Sequence, residues 1–470
     1  MKLAGAALVA LAFVAPLLAQ GQPSIDWSRV QAETLQHYQA LVRLDTTDPP
    51  GNESLAANYL RQVLEKEGIP VQLFEAEPNR ANLVARLKGS GRKRPLLVVG
   101  HTDTVRVDPA KWTFPPFSAA RDGGYIYGRG TIDDKDNVAA ALMTMLLLKR
   151  GNVALDRDVI FLAEAGEEAA TKVGIEFMVR EHFADIDAEF CLAEGGGMVR
   201  SGGRVNFAQV QASEKGPHTI ELVARGTSGH GSVPRMDNPV VHLAAAVAAI
   251  GKWKPPIRLT ETTREYFTRL TTFALPADAA RYRAVLMPDS KAAQDAVDYF
   301  AEHDPSKASM LRSSLSPTLL SGGLQVNVIP SEAKATIDVR LLPVEDPAVF
   351  IELVRQVIND PAVKVEYNGL NQRPDGKPAR LDSEVFKAIE SAVVRSYDTT
   401  AIPTMSTGAT DMAYLREKGV QCYGIGAATD LEDVGKGYAS HSDQERLLES
   451  ELHRFVRFNW ELVFDLARAR

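Results

Sequence analysis

At 470 residues the chain is too long for one ordinary core, so two or three domains are expected. Its 45% hydrophobic and 24% charged residues are those of a soluble globular protein. A net charge of -7 leaves no basic footprint for nucleic acid, and no glycine-rich loop ending in Gly-Lys-Ser or Gly-Lys-Thr is present to cradle a phosphate.

Lys2 precedes an apolar run over 3–19, which gives way to Gln20-Gly21-Gln22-Pro23-Ser24. This reads as a secretory signal peptide cleaved near Ala19, so an exported protein, periplasmic or secreted, is expected. The alternative is an uncleaved anchor, because the run approaches the ~18 residues of a membrane span. No later segment is that long and apolar, so membrane contact is expected only through this segment.

Periodicity predicts helices over 27–42 and 52–68, the second capped by Asn52 or Ser54 and ended by Gly68 and Pro70. Half-buried strands follow at 71–74 and 82–87, and buried strands at 95–100, 158–163 and 188–193. An apolar helix lies over 137–149. Short apolar strands separated by helices indicate an α/β domain with a largely parallel central sheet.

The rhythm changes near Gly216. A strand over 218–225, a helix over 238–252, a mainly helical stretch over 261–314, a strand over 334–341, a helix over 347–359 capped by Asp346 and a strand over 363–367 follow. The antiparallel flavour suggests a smaller α+β domain over 216–370, inserted between catalytic segments 20–215 and 371–470. The polar loop 371–378 suits a return hinge, and 383–397, 420–425 and 444 onward resume helix, strand and helix. Cys191 and Cys422 sit in strand-like stretches; they could pair in an exported protein or stand as separate buried thiols.

Acids and histidines fall at the ends of these apolar runs or beside glycine turns. His101 and Asp103 follow the buried strand at 95–100, where α/β proteins place ligand sites. Asp103 is close enough to accept the second ring N–H of a metal-binding His101. Asp133 follows Gly128-Arg129-Gly130, where one carboxylate could touch two metals; as plain structure it would be a helix N-cap, a role Asp134 or Asp136 could also fill. Glu167 and Glu168 are adjacent carboxylates that a cation would hold ionised, although such a doublet is more often a solvated helix start. Glu194 ends a buried strand before Gly195-Gly196-Gly197, and His441 lies in a loop before the last helix. His230 sits in a tip of small residues that could present it to a substrate oxygen.

Three carboxylates and two imidazoles suit two zinc ions, with one carboxylate shared and one left over in the doublet as a base. In this order and setting the segments resemble the co-catalytic zinc exopeptidase and deacylase family. That family includes carboxypeptidase G, acetylornithine deacetylase, succinyl-diaminopimelate desuccinylase, aminoacylase and carnosine dipeptidases. The resemblance implies a zinc-binding α/β domain interrupted by a lid or dimerisation domain, and hence a homodimer through the insertion, although the long helical stretch at 261–314 departs from compact dimeric members. It implies that His101 and Glu194 bind one zinc, Glu168 and His441 the other, and that Asp133 bridges them before a cis bond to Asp134. Cobalt or manganese could substitute. Asp103 would orient His101, and Glu167 would be the general base. His230, Asn327, Arg340 and Gly408 would contact the substrate, a small peptide or N-acyl amino acid. Asp136 stands where many members carry glycine, and Ala165-Gly166 where an acid is frequent. A carboxypeptidase or N-acyl-amino-acid hydrolase is the expectation. An aminopeptidase or dipeptidase, a single-metal hydrolase and a metal-free binding protein are the alternatives.

Overall fold

The computed structural model describes residues 24–367 and 373–469. The signal reading and the first two residues of the hinge loop lie outside these. Ten strands form the central mixed sheet. Its middle is built from Leu96–His101, Val159–Glu164, Phe190–Ala193 and Gln421–Gly424, paired parallel. Leu96–His101 and Val159–Glu164 are buried at every position, as their unbroken apolar sequence requires. Parallel pairing brings the carboxyl ends of these strands to one edge. His101 stands in register with Glu164, and Glu194 directly follows the end of a neighbouring strand.

Helix Lys135–Arg150 is buried along all but its last turn. It shares one apolar core with the sheet and with helix Glu449–Ala467. Helix Trp27–Val42 follows the periodicity reading. The next helix runs Ser54–Lys66 and does not use the expected cap. Glu53 occupies the N-cap but makes no capping bond; its two carboxylate oxygens accept from Arg80 at 2.6 and 2.7 Å. The Ser54 hydroxyl donates to Glu75 and accepts from the Ala81 amide.

A second, four-stranded antiparallel sheet is ordered Ser314–Gly322, Glu332–Leu341, Gly216–Arg225, Val363–Tyr367. Helices Pro239–Lys252 and Pro347–Ile358 cover one face of it. Asn238 and Asp346 cap these helices, Asp346 as the sequence suggests. Strand Ser314–Gly322 forms an exposed edge bearing Leu319 and Leu320. Helices Glu261–Leu270, Pro276–Val285 and Lys291–His303 were expected with this sheet, but their core closes on Ile402 and Met405 of strand Ala401–Ser406 in the central sheet. The sequence reading missed that strand and Arg204–Glu214 beside it.

Cys191 and Cys422 are free, fully buried thiols in register on adjacent parallel strands. Among the described residues no helix is long and apolar enough to cross a membrane.

Candidate active site

The strand ends and turns deliver the distant acids and histidines to one place. Asp133 is the centre. Its Oδ1 lies 3.0 Å from His101 Nε2 and its Oδ2 lies 3.1 Å from His441 Nε2. One carboxylate thus faces two imidazoles, one on each oxygen. His101, Asp133 and Glu194 form one group of converging ligand atoms, and Asp133, Glu168 and His441 form a second. Within each group these atoms lie within 4.8 Å of one another.

The backbone explains the convergence. Asp133 precedes helix Lys135–Arg150 and is joined to Asp134 by a cis peptide bond. Asp134 holds the N-cap position, and its carboxylate accepts the His101 amide at 3.1 Å and the Asn137 side chain at 2.5 Å. Asp134 makes no side-chain capping bond, and Asp133, one place before the N-cap, faces the histidines. His441 has φ 61°, a left-handed backbone that histidine seldom adopts. After Glu194, Gly195 has φ 93°, and a Cβ on Gly196 would lie 2.1 Å from the Gly424 carbonyl oxygen. Only glycine permits that approach.

Asp103 is completely buried and braces both halves of the site. Its Oδ1 is 3.4 Å from His101 Nδ1. Its two oxygens accept the amides of Glu167 and Glu168 at 3.1 and 3.0 Å. Burial alone would raise the Asp103 carboxyl, but His101 and these amides hold it below its ordinary range. The Glu doublet is no solvated helix start: the Glu167 and Glu168 side chains are only 10% and 7% exposed.

The charges in this cluster oppose one another. Burial drives Glu194 well above its ordinary range, with Glu167 and Asp133 adding like-charge repulsion. Burial also raises Glu167, which Arg373 partly offsets. Hydrogen bonds to Asp133 and Glu168 push His441 up to about 10. Burial lowers His101, yet Asp103 and Asp133 outweigh it and the imidazole ends up raised. Both imidazoles are thus aimed at carboxylates that demand positive charge between them.

Two clefts border the cluster. One, of about 330 Å³, reaches from Asp133 and Glu194 to Tyr125 and Tyr438. The other, of about 1000 Å³, is bordered by Glu167, Glu168, Arg373 and Tyr414. Asp48, Glu53 and Asp103 form a third acidic group. Arg80 neutralises its first two members, with Nη2 at 2.8 Å from Asp48 and a fork on Glu53.

The expected substrate contacts lie apart from the cluster in their bonding. His230 and Asn327 come together at one tip, where Gly229–His230 pairs with Val328–Ile329 and the Gly231 amide donates to the Asn327 carbonyl. His230 is exposed and its Nδ1 lies 2.7 Å from the Ser232 hydroxyl. Gly408 is exposed in a turn, its amide donating to Ser406. Arg340 forms a two-pronged pair with Asp338 on its own strand, at 2.7 and 3.0 Å. The sequence reading missed Arg373, which contacts both Glu167 and Asp411. A lone arginine in a polar loop gives no signal that it will reach an acid more than two hundred positions away.

The profile of peptidase family M20/M25/M40 matches residues 97–464. A probable carboxypeptidase S-like 2 of Dictyostelium discoideum is 29% identical over 398 residues, covering 81% of this chain and 74% of that protein. An N-fatty-acyl-amino acid synthase/hydrolase PM20D1 of Xenopus tropicalis is 29% identical over 58% of this chain and 53% of its own length. Among solved structures, the M20 family metallo-carboxypeptidase Sso-CP2 of Sulfolobus solfataricus superposes with a TM-score of 0.68 at 23% identity, over 92% of this chain and 98% of that one. The chain belongs to peptidase family M20/M25/M40, and with that family it is a hydrolase of amide bonds.

Proposed function

We propose that this protein is an exported, dinuclear-metal hydrolase that cleaves the amide bond of a small peptide or N-acyl amino acid. The observation that carries the reading is Asp133, whose two oxygens each face a different imidazole while Glu194 and Glu168 complete the two groups. The donor set suits divalent zinc: two imidazoles, which a bound ion would hold neutral, and three carboxylates, Asp133 being the one common to both groups. His101 and Glu194 would hold one ion, His441 and Glu168 the other, and Asp133 both. Bound there, the ions would supply Lewis acidity and lower the pKa of water towards ~7.

The rest falls to the chain itself. Glu167 is not needed as a ligand and stands beside Glu168 at the mouth of the larger cleft. Its carboxylate takes the proton of the attacking water and returns it to the departing nitrogen. Burial raises its proton affinity, as a base that must later act as an acid requires. Asp103 keeps His101 oriented and fixes the backbone of the doublet. His230, on its exposed tip with Asn327, would approach the substrate carbonyl and help to stabilise the oxyanion. A carboxypeptidase or acyl-amino-acid hydrolase is favoured over an aminopeptidase because the D. discoideum and X. tropicalis relatives bear those names. Export rests on Lys2 and the apolar run that follows it.

The test is to load the purified protein with zinc and follow amine release from dipeptides and N-acyl amino acids, with a chelator control. Chelator-sensitive release is expected, and its absence across both classes would reject the assignment. Glu167→Gln should retain zinc and lose roughly 10³-fold in kcat, within the range for a lost acid–base group. A Gln variant that turns over like the parent would remove Glu167 as the base.

A further inference from the structure

We propose that Arg373 is the positioning residue that aims Glu167 at the attacking water; this rests on the reading of Glu167 as the base. One guanidinium grips Glu167 twice. Nη1 donates to the side-chain Oε1 at 2.9 Å and Nη2 to the backbone carbonyl of the same residue at 2.8 Å. Holding a carboxylate and its own backbone with one rigid fork fixes the intervening torsions. On the other side the Glu167 amide donates to Asp103 at 3.1 Å. The residue is therefore held at its N–H, its carbonyl and one carboxylate oxygen. None of these bonds engages Oε2, which is left to exchange the proton.

Arg373 is itself anchored. Its Nη1 lies 3.2 Å from Asp411 Oδ1, and the Asp411 carboxylate is 5% exposed, with no hydrogen-bond partner among the described residues. Arg373 supplies the positive charge that this buried acid needs. Pro374 restricts the Arg373 backbone towards extended forms. A Cβ on Gly376 would lie 3.1 Å from the Ala413 backbone, so the following loop is pressed against helix Met412–Glu417. Without this grip, Glu167 would turn away from the neighbouring Glu168 and Asp103 carboxylates. The return loop, read from sequence as a hinge, thus carries a part of the active site.

The experiment uses the full chain loaded with zinc. Arg373→Ala leaves Asp411 unpaired and could fail to fold, so Arg373→Lys is the primary variant. Lysine keeps the charge for Asp411 but cannot hold two atoms of Glu167 in one plane. Arg373→Lys is expected to keep two zinc equivalents and a KM within about threefold of the parent. Its kcat should fall about 10²-fold, the scale of a displaced reacting group. Adding the same change to Glu167→Gln should cause no further fall, because Arg373 acts through the Glu167 carboxylate. A raised KM with unchanged kcat would make Arg373 a substrate clamp and overturn the proposal. So would an unchanged kcat, or an equal further loss in the Glu167→Gln background. An active Glu167→Gln variant would instead defeat the base assignment.

Discussion

Asp103 shows how much a single side chain can organise. It contacts the candidate ligand His101 directly and sets the backbone of Glu168 and its neighbour by accepting the amides of Glu167 and Glu168. Its place two residues after His101 made it legible from sequence, because a metal-binding histidine needs a partner for its other nitrogen. Arg80 was not legible in that way. It lies in a turn, yet its guanidinium is nearly buried between Asp48 and Glu53. Burial raises the Glu53 carboxyl, and the Arg80 hydrogen bond opposes that rise. Removing one partner of such a set leaves unpaired charge in the interior, which costs about 3–5 kcal/mol. Arg80→Met should therefore lower the unfolding free energy by roughly that amount in a denaturant titration. A loss below about 1 kcal/mol would show that the group is hydrated and unimportant to stability.

At the scale of elements, the sequence predicted the strands whose ends form the site. Leu96–His101, Val159–Glu164 and Phe190–Ala193 are continuous apolar runs followed by charge, the mark of a buried parallel strand. Ala401–Ser406 was missed because Pro403 interrupts it. Among the described residues that strand pairs only with Arg204–Glu214, so it is an edge where proline is tolerated, and helix Glu261–Leu270 covers it. Helix contacts involving charge were also invisible. Arg150, at the end of helix Lys135–Arg150, binds Glu33 at 2.7 and 2.8 Å and Glu67 at 2.8 and 3.2 Å. It joins three helix segments. Hydrogen bonds from Arg150 are the largest influence on both carboxyls and hold them below their ordinary range. Carboxyls lowered in the folded state stabilise it above their unfolded value of ~4.3, and that contribution disappears as pH falls through the folded value. Arg150→Gln should cost about 1 kcal/mol at pH 7, and the gap should close between roughly pH 5 and 3. Thermal melts of both proteins across that range check it; a gap independent of pH would assign the effect to packing.

At the scale of the whole molecule, the edge of the central sheet gathers a cluster whose members come from five separate places in the chain. The ordering of acids and histidines along the sequence announced the cluster; its bracing by Arg373 and Asp411 depended on how the chain returns from the second sheet. Burying this many carboxylates is unfavourable unless positive charge joins them. Bound metal should therefore add to the stability of the fold, since ions that bind only the folded state raise its unfolding free energy. The most direct measurement is elemental analysis of the protein equilibrated with zinc and freed of excess. Two equivalents per chain are expected, falling to one or none in Asp133→Ala; a parent protein that retains one equivalent or none would contradict the shared-carboxylate site.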